Sequence, residues 1–325
     1  MVIDMRNGIR RALWLAMLAM LFPLLCTAQG FPVKPITLIC PWPPGGGADA
    51  QMRALAHAAS KVFGQQVVIE NRPGAVGTIG PGSLINARPD GYTLSQATNA
   101  VYRQPFVIKT TYDPERDFTY LIGISGFNFG LVVRADSPWK TLDDLIAYAK
   151  SNPGKITFGT FGIASPPQIV MDRIAARHGL DWVHLAFKGT AESVAALKGG
   201  HVQAIADGTG WGPFVDSGDF RLLAVFGERR LKRWQNIPTL KDLGYDIAES
   251  SPWGLIGPKG MAPDVARALH DGFRKAMDDP EFLKMLDNLV QEPMYMGMDD
   301  YRRYSLGQIP VQKAIVEKYK LAGQK

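Results

Sequence analysis

The stretch Cys40-Pro41-Trp42-Pro43-Pro44-Gly45-Gly46-Gly47-Ala48-Asp49 joins the apolar run Ile36–Cys40 to a helical pattern that starts near Ala48. Its prolines fix φ and offer no N–H, while its three glycines permit conformations and close approaches that a Cβ would forbid. The stretch predicts a strand, a turn and a helix start. The first N–H groups of such a helix lack intrahelical partners, and the positive end of the dipole favours an anion there. Gly45, Gly46, Gly47 and Ala48, with Trp42 in front of them, are therefore a candidate anion cradle. A phosphate loop would need Lys-Ser/Thr after the last glycine, and Ala48-Asp49 follows instead. Gly45-x-Gly47-x-x-Ala50 does satisfy the loose dinucleotide fingerprint, with Glu70 about where a ribose-binding acid belongs.

Beyond the glycines, Met52, Leu55, Ala59, Val62 and Phe63 share one helical face, Gly64 is a stop, and Val67 to Glu70 reads as the next strand. Pro73-Gly74 opens a turn, and a helix is expected over Ser83 to Ala87. Tyr92 to Ala97 reads as a third strand, whose continuation Thr98-Asn99 should emerge on the same edge as the glycine loop. Gly130 to Ala135 reads as a strand crossing into a second α/β series. That series has a capping-box helix at Thr141-Leu142-Asp143-Asp144, a strand Ile156 to Phe161, and a second cradle, Thr160-Phe161-Gly162-Ile163-Ala164-Ser165. Ser165, followed by Pro166 and Gln168, fits a helix cap. Its hydroxyl and that of Thr160 are read either as capping or as ligand contacts. Strands Trp182 to Phe187, Val202 to Ala206 and Arg221 to Phe226 follow, with a helix from Thr190 to Lys198. Lys188, Thr190 and Asp207 stand at strand ends on the same rim, Lys188 as a solvated rim residue or as a contact. Ser251 to Ile256 is the return crossing, and the rest is helical.

The sequence resembles the extracytoplasmic solute receptors of the tripartite tricarboxylate transporter family, the Bug proteins. The likeness is carried by Trp42 to Asp49, by Val68-Ile69-Glu70-Asn71-Arg72-Pro73-Gly74 with Gly77-Thr78-Ile79-Gly80, and by Pro89-Asp90-Gly91-Tyr92-Thr93-Leu94. It continues through Tyr112-Asp113-Pro114, Asp117-Phe118, His184 and Lys188-Gly189 to Ile237-Pro238-Thr239. The resemblance implies a type II periplasmic binding protein fold, with two doubly wound α/β domains hinged around a ligand cleft. The expected domains are 31–127 plus 251–325, and 128–250. It also implies capture of a small carboxylate without catalysis or cofactor, by a monomer that serves the membrane subunits of a tripartite tricarboxylate transporter. A signalling partner is the alternative. Carried onto this chain, the binding residues are Trp42, Gly45 to Ala48, Thr78, Thr98, Asn99, Thr160, Gly162, Ala164, Ser165, Lys188, Thr190 and Asp207. Gln168 stands where many relatives have His, and Ala186-Phe187 replaces the usual Pro-Tyr.

Met1 to Ala28 has a basic start, an apolar run from Ala12 to Leu25 and a small residue at its end, the pattern of a cleaved secretory signal. The expected location is the periplasm. The formal charge of +6 includes three arginines and one aspartate of this segment, so +4 remains without it. No Lys/Arg cluster is interleaved with aromatics, which gives nucleic-acid binding no support. An exported chain also meets little free NAD, and the prolines before Gly45 distort the dinucleotide spacing. Loss of Cys26 would leave Cys40 alone, read as a buried small hydrophobe. No Gly-x-Ser-x-Gly, His-Glu-x-x-His or clustered Cys/His pattern occurs, so neither a nucleophile nor a metal site is indicated. Phe161, Phe187 and Trp211 are possible lining for the body of a ligand.

Overall fold

Strand β1 (Ile36–Cys40) and helix α1 (Gly47–Phe63) flank the Pro-Gly turn, in a computed structural model that describes residues 30–323. The expected leader, Met1 to Ala28, lies outside the described residues. Gly64 ends α1 in the left-handed region at φ 63°, its N–H returning to the Ser60 carbonyl. Met52, Leu55 and Ala59 are buried as the periodicity predicts, whereas Val62 is 39% exposed. Strand β2 (Val67–Asn71) follows, then the short helix α2 (Ile79–Gly82) with a 3-10 turn over Ser83–Asn86, and strand β3 (Thr93–Thr98). Helix α3 (Asn99–Val107) was not expected. Its buried residues include Arg103, Gln104 and Asn99, so it shows no apolar stripe.

The crossing is one long strand, β4 (Phe118–Arg134), rather than a segment starting at Gly130. Register shifts near Tyr120 and Gly123 let it bend while staying paired. Helix α4 (Leu142–Ser151) has the expected capping box between Thr141 and Asp144. The chain then alternates β5 (Thr157–Thr160), α5 (Pro166–His178), β6 (Val183–Ala186), α6 (Thr190–Lys198), β7 (Ala204–Gly208), α7 (Gly212–Asp216) and β8 (Phe220–Val225). A short 3-10 turn over Thr209–Trp211 lies between β7 and α7. Strand β9 (Ser250–Pro258) returns antiparallel to β4, and α8 (Pro263–Ala276), α9 (Pro280–Asn288), β10 (Pro293–Met296) and α10 (Met298–Lys318) complete the chain.

The strand order is β2-β1-β3-β9-β4-β7-β5-β6, with β10 and β8 also on β4. The first half of β4 pairs with β9 and β10, the second half with β7 and β8. Two halves of the sheet thus share one strand, each with its own helices. In each half, parallel strands bring their carboxyl ends together: β1 and β3 in one, β5, β6 and β7 in the other. Helices α1, α3, α5 and α6 all begin at those ends, which is where open α/β sheets bind ligands. Cys40 is fully buried among the apolar residues of the first half, and burial pushes its thiol up to about 12. It is an inert packing residue.

Candidate functional site

A cavity of about 50 Å³ lies where the two groups of strand ends meet. Its walls come from both halves: the glycine turn and α1, the start of α3, Phe127 and Phe129 of β4, the starts of α5 and α6, and Gly208 to Gly210. Neither α1 nor α6 has a side-chain cap, Gly46 and Gly189 being their N-cap residues. A Cβ built on Gly46 would stand 3.9 Å from Ala191 Cβ and 4.0 Å from its backbone nitrogen. The N-termini of two helices, of 17 and 9 residues, therefore meet at the cavity, and no capping side chain among the described residues takes their first N–H groups. Their positive ends repel unless an anion lies between them.

The turn is fixed by Asp49. Its carboxylate accepts from Gly45 N–H at 3.0 Å, Arg53 Nε at 2.9 Å and Asn71 Nδ2 at 2.8 Å. Burial works against the charge, but these hydrogen bonds outweigh it and hold the carboxyl below the usual range. Trp42 forms one wall. Its indole N–H donates to Gln96 Oε1 at 3.0 Å, and its ring meets Phe161 edge-on at 5.4 Å. Gly77, at φ +78°, lies against the ring where a Cβ would come within 2.7 Å. No other residue fits there.

Trp42, Gly46, Gly47, Ala48, Thr98 and Thr190, of the residues expected from sequence, line the cavity, and Phe161 joins them. The others do not line it. Gly45 closes the turn through its N–H to Asp49. Thr78 donates to the Ala75 carbonyl at 2.7 Å, and Asn99 Oδ1 accepts from Tyr304 at 2.8 Å. Thr160 and Ser165 are turned inward. Ser165 Oγ lies 3.2 Å from Thr160 Oγ1 and caps Gln168 N–H, while Thr160 Oγ1 contacts His184 Nε2 at 2.8 Å and bonds the Gly162 carbonyl. Gly162 packs on Val76, and the carbonyl of Ala164 accepts from Arg103 Nη1 at 3.0 Å. Lys188 is exposed, its backbone N–H on Glu192. Asp207 is fully buried behind Thr190. Phe187 packs beneath Gly159, and Trp211 is fully buried with its N–H on the Asp207 carbonyl. Glu70, the acid of the loose dinucleotide fingerprint, is engaged with Arg72 Nε.

Phe127, Phe129, Ala191, Thr209, Ser251, Leu289 and Gln291 also line the cavity and were missed. Phe127 and Phe129 alternate along β4, so they share a face, a signal hidden because the strand's start was placed too late. Leu289 and Gln291 follow α9 from far along the chain, and no local pattern marks them. The lining contains no lysine or arginine side chain.

The sequence model described as the Tripartite tricarboxylate transporter family receptor matches residues 51–321. A Cupriavidus necator protein named for the gbd 5′ region is 43% identical over 300 residues, 92% of each chain. This chain belongs to that receptor family. The solved periplasmic binding protein BugD is 25% identical with TM-score 0.86, covering 90% of this chain and all of its own. An R. palustris protein solved with adipate is also 25% identical, with TM-score 0.84 over 90% of this chain and 99% of its own. The receptor thus has the two-domain periplasmic binding protein fold expected from its motifs.

One buried and one half-buried group give the receptor opposing pH responses. Burial pushes Asp207 up from 3.8 to about 6, despite hydrogen bonds from Ser193, Thr190 and Gly208 N–H. Between these values the folded chain keeps a proton that the unfolded chain has lost, so this group's stabilisation is full below pH about 4 and lost as pH rises through 6. His184 behaves oppositely. Burial lowers it from 6.5 to about 4, so its contribution is lost as pH falls through that window. The variant Asp207→Asn removes only the first effect. Its stability relative to the native chain, measured by urea unfolding, is expected to rise from pH 4 to 6.5 and level off above. A difference that is constant with pH contradicts the assignment.

Proposed function

We propose that this receptor captures a small organic carboxylate in the cavity and passes it, chemically unchanged, to the membrane subunits of a tripartite tricarboxylate transporter. The reading rests on the uncapped N-termini of α1 and α6, which meet at the cavity and together make an anion site from main-chain N–H groups of both halves. One helix N-terminus supplies about 0.3–1 kcal/mol, up to about 2 when partly buried, whereas a micromolar Kd corresponds to about 8.2 kcal/mol. One loop is insufficient. Capture therefore takes both halves, residues 31–127 with 251–325 and residues 128–250, closing about β4 and β9. The receptor acts as a monomer in the periplasm, after removal of Met1 to Ala28. The similar R. palustris protein solved with adipate supports an acid as ligand.

A melting experiment with small carboxylates and their uncharged amides tests this. Ligand at 100 times its Kd adds about 2.7 kcal/mol, and each kcal/mol moves the melt by about 2–4 °C in proteins approaching this size. An acid is expected to raise the melt by roughly 5–10 °C, its amide not, and mass spectrometry should recover the acid intact. Equal shifts from the amides, or consumption of the acid, overturn the reading.

A further inference from the structure

Four hydroxyl groups line the cavity, and the protein has already fixed what each can offer. Thr190 Oγ1 donates to Asp207 Oδ1 at 2.5 Å, and Thr209 Oγ1 donates to the Leu289 carbonyl. A hydroxyl has one proton, so these two present only lone pairs to the cavity. Thr98 and Ser251 are the reverse. They accept from Ala100 N–H and Asn99 N–H at 3.3 and 3.4 Å, and no group among the described residues takes their own protons. Gln291 adds a weakly engaged polar edge: its Oε1 receives only a long contact from Ser125 Oγ, 3.4 Å against 2.8 Å to the Glu292 carbonyl. Thr98, Thr209, Ser251 and Gln291 are all at least 95% buried. Their needs fall to the ligand.

An unpaired buried polar group carries a desolvation cost, so the best ligand meets both kinds. A second carboxylate fails. It has no proton for Thr190 or Thr209, and the lining offers no cation to neutralise it. An unsubstituted acid also fails, because it leaves these groups unmatched. Resting on the carboxylate reading above, we infer that the preferred ligand is a small hydroxy monocarboxylate. Its carboxylate lies between the N-termini of α1 and α6. Its hydroxyl gives a proton to Thr209, the more deeply buried of the two acceptors, and accepts from Thr98, Ser251 or Gln291. The carbon skeleton lies against Trp42, Phe129 and Phe161.

Calorimetric titration at pH 7.5 of the periplasmic protein with butanoate, its 2-, 3- and 4-hydroxy derivatives and succinate tests this. One hydroxy isomer is expected to bind at least tenfold more tightly than both butanoate and succinate. Thr209→Val should reduce that preference over butanoate to about twofold or less, and Thr209→Ser should retain it. Succinate binding as tightly as the best hydroxy isomer, or butanoate doing so, overturns the inference, as does a Thr209→Val variant with an unchanged preference. If these five fail while another carboxylate binds, only the hydroxy-acid inference falls. If no carboxylate binds, the carboxylate reading falls with it.

Discussion

Replacing Ala191 by aspartate is expected to abolish acid binding while raising the melting temperature. Ala191 sits at the second position of α6, beside the start of α1 at the cavity. A carboxylate there takes the place proposed for the ligand's own. It would bond the same N–H groups and compensate both dipoles, a gain of about 0.3–1 kcal/mol that rises to about 2 in partly buried geometry. The incoming acid would then meet a like charge in the space it must fill. A loss of at least about a hundredfold in affinity corresponds to only about 2.7 kcal/mol, well within the reach of that repulsion. Ala191→Asn separates charge from bulk: it should weaken binding less and stabilise less. An aspartate variant that still binds acid within a fewfold of the native protein contradicts the site.

Arg103→Met is expected to cost about 3–5 kcal/mol, the largest stability loss of any substitution considered. Arg103 is fully buried on α3. Its Nε donates to Gln312 at 2.6 Å, its Nη1 to the Ala164 carbonyl at 3.0 Å, and its Nη2 lies 3.9 Å from Glu249, whose side chain is 16% exposed. The arginine therefore ties α3 and α10 to the loop that starts α5. Methionine fills much of the space but strands Gln312 Oε1 and the Ala164 carbonyl and removes one of the two guanidinium charges acting on the half-buried Glu249, the other being that of Arg173, and such breaks carry a cost of this order. At about 2–4 °C per kcal/mol the melt should fall by roughly 10 °C. Adding Glu249→Leu should restore part of that loss, since the less compensated charge is gone, though Gln312 Oε1 and the Ala164 carbonyl stay unpaired. A single variant within 1 kcal/mol of the native protein contradicts this role.

Much of this was legible in the sequence, for identifiable reasons. The Pro-Gly turn, the apolar face of α1 and the cap at Thr141 are local signals, and each formed where it was read. The α6 start at Thr190 was placed to the residue, because Gly189 and Gly199 bracket it. What failed was non-local. Helix α3 was hidden because its buried face carries Gln104 and Arg103, and the partners of Arg103 come from α5's entry loop and α10. Thr160 and Ser165 carried hydroxyls at a strand end, but whether a hydroxyl points to the cavity or to its neighbour depends on His184, 24 residues away. Leu289 and Gln291 reach the cavity only because the turn after α9 packs on Thr209.

The carboxylate site is tested most directly by nuclear magnetic resonance of the protein labelled with ¹⁵N at glycine, alanine and threonine, titrated with a bound acid. The amides of Gly47, Ala48, Thr190 and Ala191 should move downfield together, as N–H groups do on gaining a charged acceptor, and should saturate at one Kd. If the acid binds while these four stay in place, the anion does not lie between α1 and α6.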